Sequence, residues 1–224
     1  MQTTIRQSTN VAPTIIKFRP TRRRDHKIFA QMLGAQWELG RCSPSGSNSI
    51  YGYIYLCEIL SHTDILITAT DALGAILGFA GVEIKLESGS AQQKTAAPTR
   101  ARLRKWHFKR KFDCLIARVP NPAALAEYYR AYDYCPAELA QMFDGELTIL
   151  IIDEKHRSHG LGAALFTEIC AHARSANITA LCIPTDDSCG VAFYERNNCT
   201  RVYETQIQNG ERPAETAYIF ERKL

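Results

Sequence analysis

The chain has 224 residues, 46% of them hydrophobic, and 27 Lys/Arg against 23 Asp/Glu leave a formal net charge of +4. That is enough chain to bury a full core, and too little net charge to argue for a nucleic-acid binder by itself. No run approaches the ~18 consecutive apolar residues of a membrane span and residues 1–14 lack the apolar core of a secretion signal, so a cytoplasmic protein without membrane contact is expected.

In chain order, the β-branched "TIIKFRP" at 14–20 predicts a first strand ended by Pro20. Thr21 is placed to cap a helix carrying Ile28, Phe29, Met32, Leu33 and Trp37 on one face and ending near Gly40. A second helix presents Ile50, Tyr53, Ile54 and Cys57 and stops at "SHTD". "ILITAT" at 65–70 and "AILGFAGVEIKL" at 75–86 read as a hairpin. Residues 87–97, polar and small, are expected to form a mobile loop. A helical insertion over 98–143 follows, with a basic helix, a helix capped by Asn121 with Pro122 in its first turn, and a short third helix in "CPAELAQMF". The rest is regular. Glu146 to Ile152 is a buried strand, 160–176 a helix, and "ITALCIP" a second buried strand, together a β-α-β unit. A short helix through "VAFYER" and two closing strands complete the chain. The eight cysteines form no CxxC pair, which argues for reduced thiols and against a metal site.

The segment "KHRSHGLGAALF" (155–166) puts two glycines between a strand and a helix, an arrangement suited to holding phosphate. A triphosphate loop would need Lys-Ser/Thr after the last glycine, where Ala163 and Ala164 stand. A dinucleotide fingerprint would need its first glycine at the strand end, whereas seven polar residues separate Ile152 from Gly160, and Leu165 fills the third glycine's place. What remains is Arg-x-x-Gly-x-Gly/Ala, filled by Arg157, Gly160 and Gly162. A second block, "DSCGVAFYERNNC" (187–199), carries Phe193-Tyr194-Glu195-Arg196 one strand downstream. Together the two blocks resemble the GNAT superfamily of acyl-CoA N-acyltransferases. Asn198 departs from the family's usual glycine and Cys199 from its usual aromatic; Asn is the commonest non-glycine residue at positive φ, so the turn should survive.

The resemblance implies one acetyltransferase domain over 1–224, an α/β fold with a mixed, mostly antiparallel central sheet flanked by helices, and a helical insertion between its third and fourth strands. It implies acetyl-CoA as cosubstrate and no metal. Contacts to the coenzyme would come from Leu150, Ile151 and Ile152, from Arg157, Ser158, His159, Gly160, Leu161, Gly162 and Ala163, and from Asp187. Tyr194 would be the general acid, its alternative a core tyrosine. Glu146 would be the base, its alternative a strand-end carboxylate facing solvent. The acceptor would be a primary amine on a small molecule or peptide, and a homodimer is compatible with this reading. His156 and His159 read as solvated loop residues, Asp186 or Asp187 as a helix cap, and Cys189 and Cys199 as bystander thiols. The basic run 100–111 has seven Lys/Arg with Trp106 and Phe108 interleaved; it fits an anionic partner or a solvated helix face. A non-catalytic acyl-CoA-binding module and an RNA- or ribosome-associated acetyltransferase are the rival functions.

Overall fold

A computed structural model of the chain describes residues 2–5, 14–37, 48–85, 99–208 and 214–224. Its strands are β1 (Gln2–Ile5), β2 (Thr14–Pro20), β3 (Ile65–Thr70), β4 (Ile76–Ile84), β5 (Gly145–Ile152), β6 (Ala180–Asp186), β7 (Thr200–Ile207) and β8 (Glu215–Lys223). They form one sheet in the order β1-β2-β3-β4-β5-β6-β8-β7. Every pairing is antiparallel except β5 with β6, whose crossover carries a helix as parallel neighbours require. The helices are α1 (His26–Gln36), α2 (Asn48–His62), α3 (Thr99–Ile116), α4 (Pro122–Ala131), α5 (Ala137–Ala140), α6 (Leu161–Ser175) and α7 (Val191–Arg196).

The expected mixed sheet is present, with one strand more than the sequence reading gave. Residues 2–5 add an edge strand to β2, so the insertion of α3 to α5 falls between the fourth and fifth strands. The expected mobile loop and the turn near Gly40 lie outside the described residues. Thr21 does not cap α1, because its hydroxyl bonds that of Thr68 at 2.7 Å and a single 3₁₀ turn over Arg23–Asp25 leads into the helix. Phe29, Met32 and Leu33 are buried as read, whereas Ile28 and Ile50 are exposed, since each lies just off the stripe that meets the sheet.

Two cores sandwich the sheet. On one face α6 and α7 contribute Leu161, Leu165, Ile169 and Tyr194 to a cluster with Val82, Leu147 and Leu181. On the other, α1, α2 and α3 contribute Phe29, Leu33, Leu56 and Phe108, packed on Phe79, Ile149 and Ile151. Leu147 and Ile149 lie two apart yet face opposite layers. The cause is a bulge: Gly81 pairs with Ile149 and Val82 with Leu147, which leaves Thr148 as the extra residue and flips the alternation. Even-numbered Leu150 and Ile152 therefore pack toward α6, while Glu146, before the bulge, faces the other layer with Cys182.

Asp25 anchors the entry to α1. It is 2% exposed and accepts two bonds from the Arg19 guanidinium (2.7 and 3.0 Å) and one from the Arg22 backbone N–H (2.7 Å). Burial alone would raise its carboxyl; the Arg19 and Arg22 bonds override this and hold it below the usual range. Asp25→Ala should cost about 3 kcal/mol, because a buried pair loses one partner, and a urea titration of the full chain measures it. The sign follows from linkage. A lowered native carboxyl contributes stability above its unfolded value of ~3.9, and that contribution disappears as pH falls through the native one. The difference between wild type and Asp25→Ala should therefore shrink below about pH 4.

Candidate active site

β5 and β6 pair at Gly145↔Leu181 and Glu146↔Cys182, and among the described residues no further rung joins them. Beyond Glu146 the strands part. The β6-facing backbone groups of β5 up to Ile152 thus border a cleft, where buried N–H and C=O groups need a partner. The cleft is a place for an extended chain to bond as a strand would.

At the end of β5 the chain turns through Glu154–His156, capped by the Asp153 carboxylate on the Lys155 N–H at 3.0 Å. Ser158 (φ 67°) and Gly160 (φ 76°) then adopt left-handed backbone, and α6 begins at Leu161. Such φ values need glycine or a small polar residue, which is what the sequence supplies. The first helical bond runs from the Ala164 N–H to the Gly160 carbonyl at 3.1 Å. The N–H groups of Ser158, His159, Gly160, Leu161, Gly162 and Ala163 find no acceptor among the described residues. They stand at the positive end of a fifteen-residue helix, with the electrostatics of an anion cradle.

Arg157 folds back on this loop. Its Nε donates to the Ile152 carbonyl at 3.2 Å and its Nη2 to Gln36 Oε1 of α1, so the side chain braces the strand end against the opposite layer. Gly162 has a separate reason to be glycine: a Cβ there would lie 3.3 Å from the Phe193 ring. The two motif blocks are therefore in contact, Phe193 of α7 seated on the first turn of α6. His156 and His159 are exposed loop residues, and among the described residues no group of three or more His, Cys, Asp or Glu is arranged to hold a metal.

Tyr194 is buried, with ring centroids 5.2 Å from Phe193, 5.8 Å from Phe220 and 6.1 Å from Phe166. Burial, with smaller contributions from Cys189, Cys199 and Asp186, pushes its phenol far above the ordinary tyrosine range. It keeps its proton throughout the neutral range. Asn198 takes the left-handed conformation (φ 58°), as the substitution for glycine requires. Burial also lifts the Cys199 thiol to about 11 and raises that of Cys189, so neither offers a thiolate at neutral pH.

Neither Asp186 nor Asp187 caps α7, whose N-cap is Gly190 without a side-chain bond. Asp186 instead accepts from the Ser188 N–H (2.8 Å) and hydroxyl (2.5 Å), closing the turn after β6. Exposed Asp187 holds β8, accepting from the Thr216 N–H at 3.0 Å and the Tyr218 hydroxyl at 2.9 Å.

Glu146 sits at the last rung before the strands part, half-buried rather than facing open solvent, and accepts from Lys85 Nζ at 2.5 Å. Burial alone would lower the Lys85 ammonium; the Glu146 carboxylate outweighs it and raises it. Directly across the ladder Glu83 lies 3.6 Å from Lys105, and burial raises its carboxyl. The insertion closes over this region: the Tyr134 hydroxyl donates to the Thr185 carbonyl at 2.7 Å, and Cys135 packs with Cys182. Sequence reading missed Lys85, Glu83, Tyr134 and Cys135. Only the spacing of Glu83 and Lys85 about Ile84 hinted that the two share a strand face.

The family model described as the acetyltransferase (GNAT) family matches residues 86–198, half of the chain. The chain belongs to that family. Solved structures agree at the level of fold. A GNAT-family acetyltransferase from Streptococcus pneumoniae is 13% identical with TM-score 0.51, the match covering 93% of this chain and 99% of that one. The ribosomal-protein-alanine N-acetyltransferase of Brucella melitensis is 11% identical with TM-score 0.52, over 93% and 99%. YncA of Salmonella typhimurium, crystallised with its cofactor acetyl-CoA, is 9% identical with TM-score 0.51, over 93% and 94%. No curated protein matches the sequence. The two blocks that carried the resemblance, Arg157 to Gly162 and Phe193 to Arg196, both fall within the matched segment, and the GNAT enzyme reading is consistent with acetyl-CoA-dependent transfer to an acceptor.

The basic helix has internal work. Arg104 donates to the Thr63 and Asp64 carbonyls at 2.8 and 3.0 Å, capping α2, and Lys105 bonds the Asp64 carboxylate at 2.7 Å. Lys109 pairs with Asp113, Arg110 stacks over Trp106, and Lys111 donates to the Tyr53 hydroxyl. Much of the run is thereby accounted for by packing and pairing, which weakens the RNA reading that rested on it. Among the described residues no helix is long and apolar enough to cross a membrane.

Proposed function

We propose that this GNAT protein transfers the acetyl group of acetyl-CoA directly to a primary amine, on a small molecule or peptide, within a ternary complex. The observation that carries the reading is the parting of β5 from β6 beside six N–H groups at the start of α6 that find no acceptor among the described residues. Backbone from Leu150 to Ile152 pairs with the extended arm of the coenzyme. The amides from Ser158 to Ala163 hold its pyrophosphate, at a loop that Arg157 braces. Asp187 acts at a distance, fixing the turn between β6 and α7 against β8.

Two proton movements complete the chemistry. Glu146 takes a proton from the acceptor ammonium, so that the free amine forms a bond to the acetyl carbonyl carbon. Tyr194 gives a proton to the thiolate as the carbon–sulfur bond breaks, and the second proton that the nitrogen sheds in becoming an amide restores the phenol; burial raises that phenol, so it stays protonated until the thiolate forms. The coenzyme, when bound, supplies the activated acetyl group. In this reading acid and base approach the cleft from its two sides, which is supported by Tyr194 packing with the α6 layer and by Glu146 pairing with Cys182 of the other.

Incubating the full chain with acetyl-CoA and a panel of amines, peptides and aminoglycosides should release free CoA in proportion to acetylated product for at least one acceptor class. Acetyl-CoA binding with no release from any of them would replace this reading with the non-catalytic binding module.

A further inference from the structure

A second concave site lies at the far end of the sheet. β2 ends at Pro20, one residue before the Thr21 N–H bonds the Leu66 carbonyl, and past that point β3 has no β2 neighbour. There a cavity of about 1000 Å³ opens between the start of α1, the length of α2 from Ser49 to Leu60, and α3. Its floor is apolar, made by Leu60, Ile65, Leu66 and Phe108. Its walls are basic. Arg104, His107 and Lys111 line one side at helical spacing on α3, and Arg23, His26 and Lys27 line the other. Asp64 is the one acid among the lining residues, and Lys105 already holds its carboxylate at 2.7 Å.

Two of the four lining Lys/Arg are fixed in place. Arg104 is anchored on the Thr63 and Asp64 carbonyls through one nitrogen, Nη2, and Lys111 on the Tyr53 hydroxyl at 2.8 Å, over that ring at 5.3 Å. Arg23 and Lys27 face the same space with no side-chain acceptor among the described residues. The groups around His26 give the same picture. Its ring packs edge-on against Phe108 at 5.6 Å, and burial holds it below the usual histidine range, with Arg23, Lys111 and Arg104 lowering it and Asp25 opposing. Like charges gathered around a low-dielectric floor create a positive potential that an anion would relieve.

We propose that this cavity binds a phosphate monoester with an aromatic or aliphatic body: the phosphate on the unengaged Arg23 and Lys27, the body over Phe108 and the β3 floor, with the anchored Arg104 and Lys111 adding to the positive potential of the cavity. An apolar base with a few convergent polar groups is the usual form of a small-molecule site, and the volume is within the usual range. A bare anion would use the cations and leave the floor wet. Nucleic acid fits less well, because Lys105, Lys109 and Arg110 on the same helix are paired or stacked within the chain. The site is distinct from the loop at the start of α6. The only α6 residue that lines it is His172, ten residues beyond Gly162, about 15 Å along the helix.

Calorimetric titration of the full chain with phenyl phosphate tests the assignment, with inorganic phosphate and a short single-stranded RNA as parallel probes at fixed ionic strength. Phenyl phosphate should bind at least about tenfold tighter than inorganic phosphate, since it alone covers the floor. The double substitution Arg23→Ala/Lys27→Ala should weaken it by roughly 30-fold or more, as expected for two charge-assisted contacts, with acetyl-CoA affinity unchanged. Arg102→Ala, on the same helix but outside the cavity, should bind as wild type does. The proposal is overturned if Arg102→Ala weakens phenyl phosphate as much as the double substitution. It is equally overturned if saturating acetyl-CoA displaces phenyl phosphate, or if the RNA binds tightly through Arg23 and Lys27 while phenyl phosphate does not bind.

Discussion

Tyr194→Phe is expected to lower turnover by about 10²–10⁴-fold, the usual contribution of a positioned proton donor, while acetyl-CoA affinity stays near wild type. The substitution removes one oxygen from a ring clamped among Phe166, Phe193 and Phe220. Packing is retained, so a thermal melt should move little. Steady-state CoA release paired with an equilibrium acetyl-CoA titration separates two roles. If Tyr194 only fills the core, rate and affinity both survive; if it delivers the proton, rate falls alone. Turnover within a factor of two of wild type would exclude the phenol as the acid.

Much of the loop at the start of α6 was legible in the sequence. Local rules placed the loop: glycines where the backbone is left-handed or crowded, an apolar strand before it, an amphipathic helix after it. Asn198 at φ 58° and Gly162 against Phe193 are instances where one residue's chemistry demanded the observed geometry. What stayed hidden was long-range. Glu146 was readable as a strand-end carboxylate, but its partner Lys85 is 61 residues away, and their meeting depends on the β4–β5 register and its bulge. A one-residue insertion at Thr148 reverses which residues face which layer, and nothing in "ELTILII" marks it. β1 was missed because four polar and β-branched residues, Gln2–Ile5, carry too little periodicity to declare an edge strand. The acidic pair failed in the other direction. A carboxylate before a helix usually caps it, yet Asp186 and Asp187 find nearer donors in Ser188, Thr216 and Tyr218.

Glu146→Gln should likewise reduce kcat/KM by about 10²–10⁴-fold near neutral pH, with a distinctive recovery on the alkaline side. Without its base the enzyme depends on acceptor that is already uncharged. For an alkylamine of pKa ~10 that fraction rises about tenfold per pH unit, so the variant's rate should climb toward wild type between pH 7 and pH 10. The Lys85 pairing makes the alternative testable on the same samples. If Glu146 serves only to neutralise the half-buried Lys85 ammonium, Glu146→Gln would lose stability and show no alkaline recovery, and Lys85→Met/Glu146→Gln would restore the melting temperature without changing the rate. If Glu146 is the base, the double variant should regain stability and still need high pH to turn over. Lys85→Met alone then measures positioning: the carboxylate remains, freed from its 2.5 Å tether, and a rise in KM for the amine larger than the fall in kcat would show that Lys85 sets where the base points.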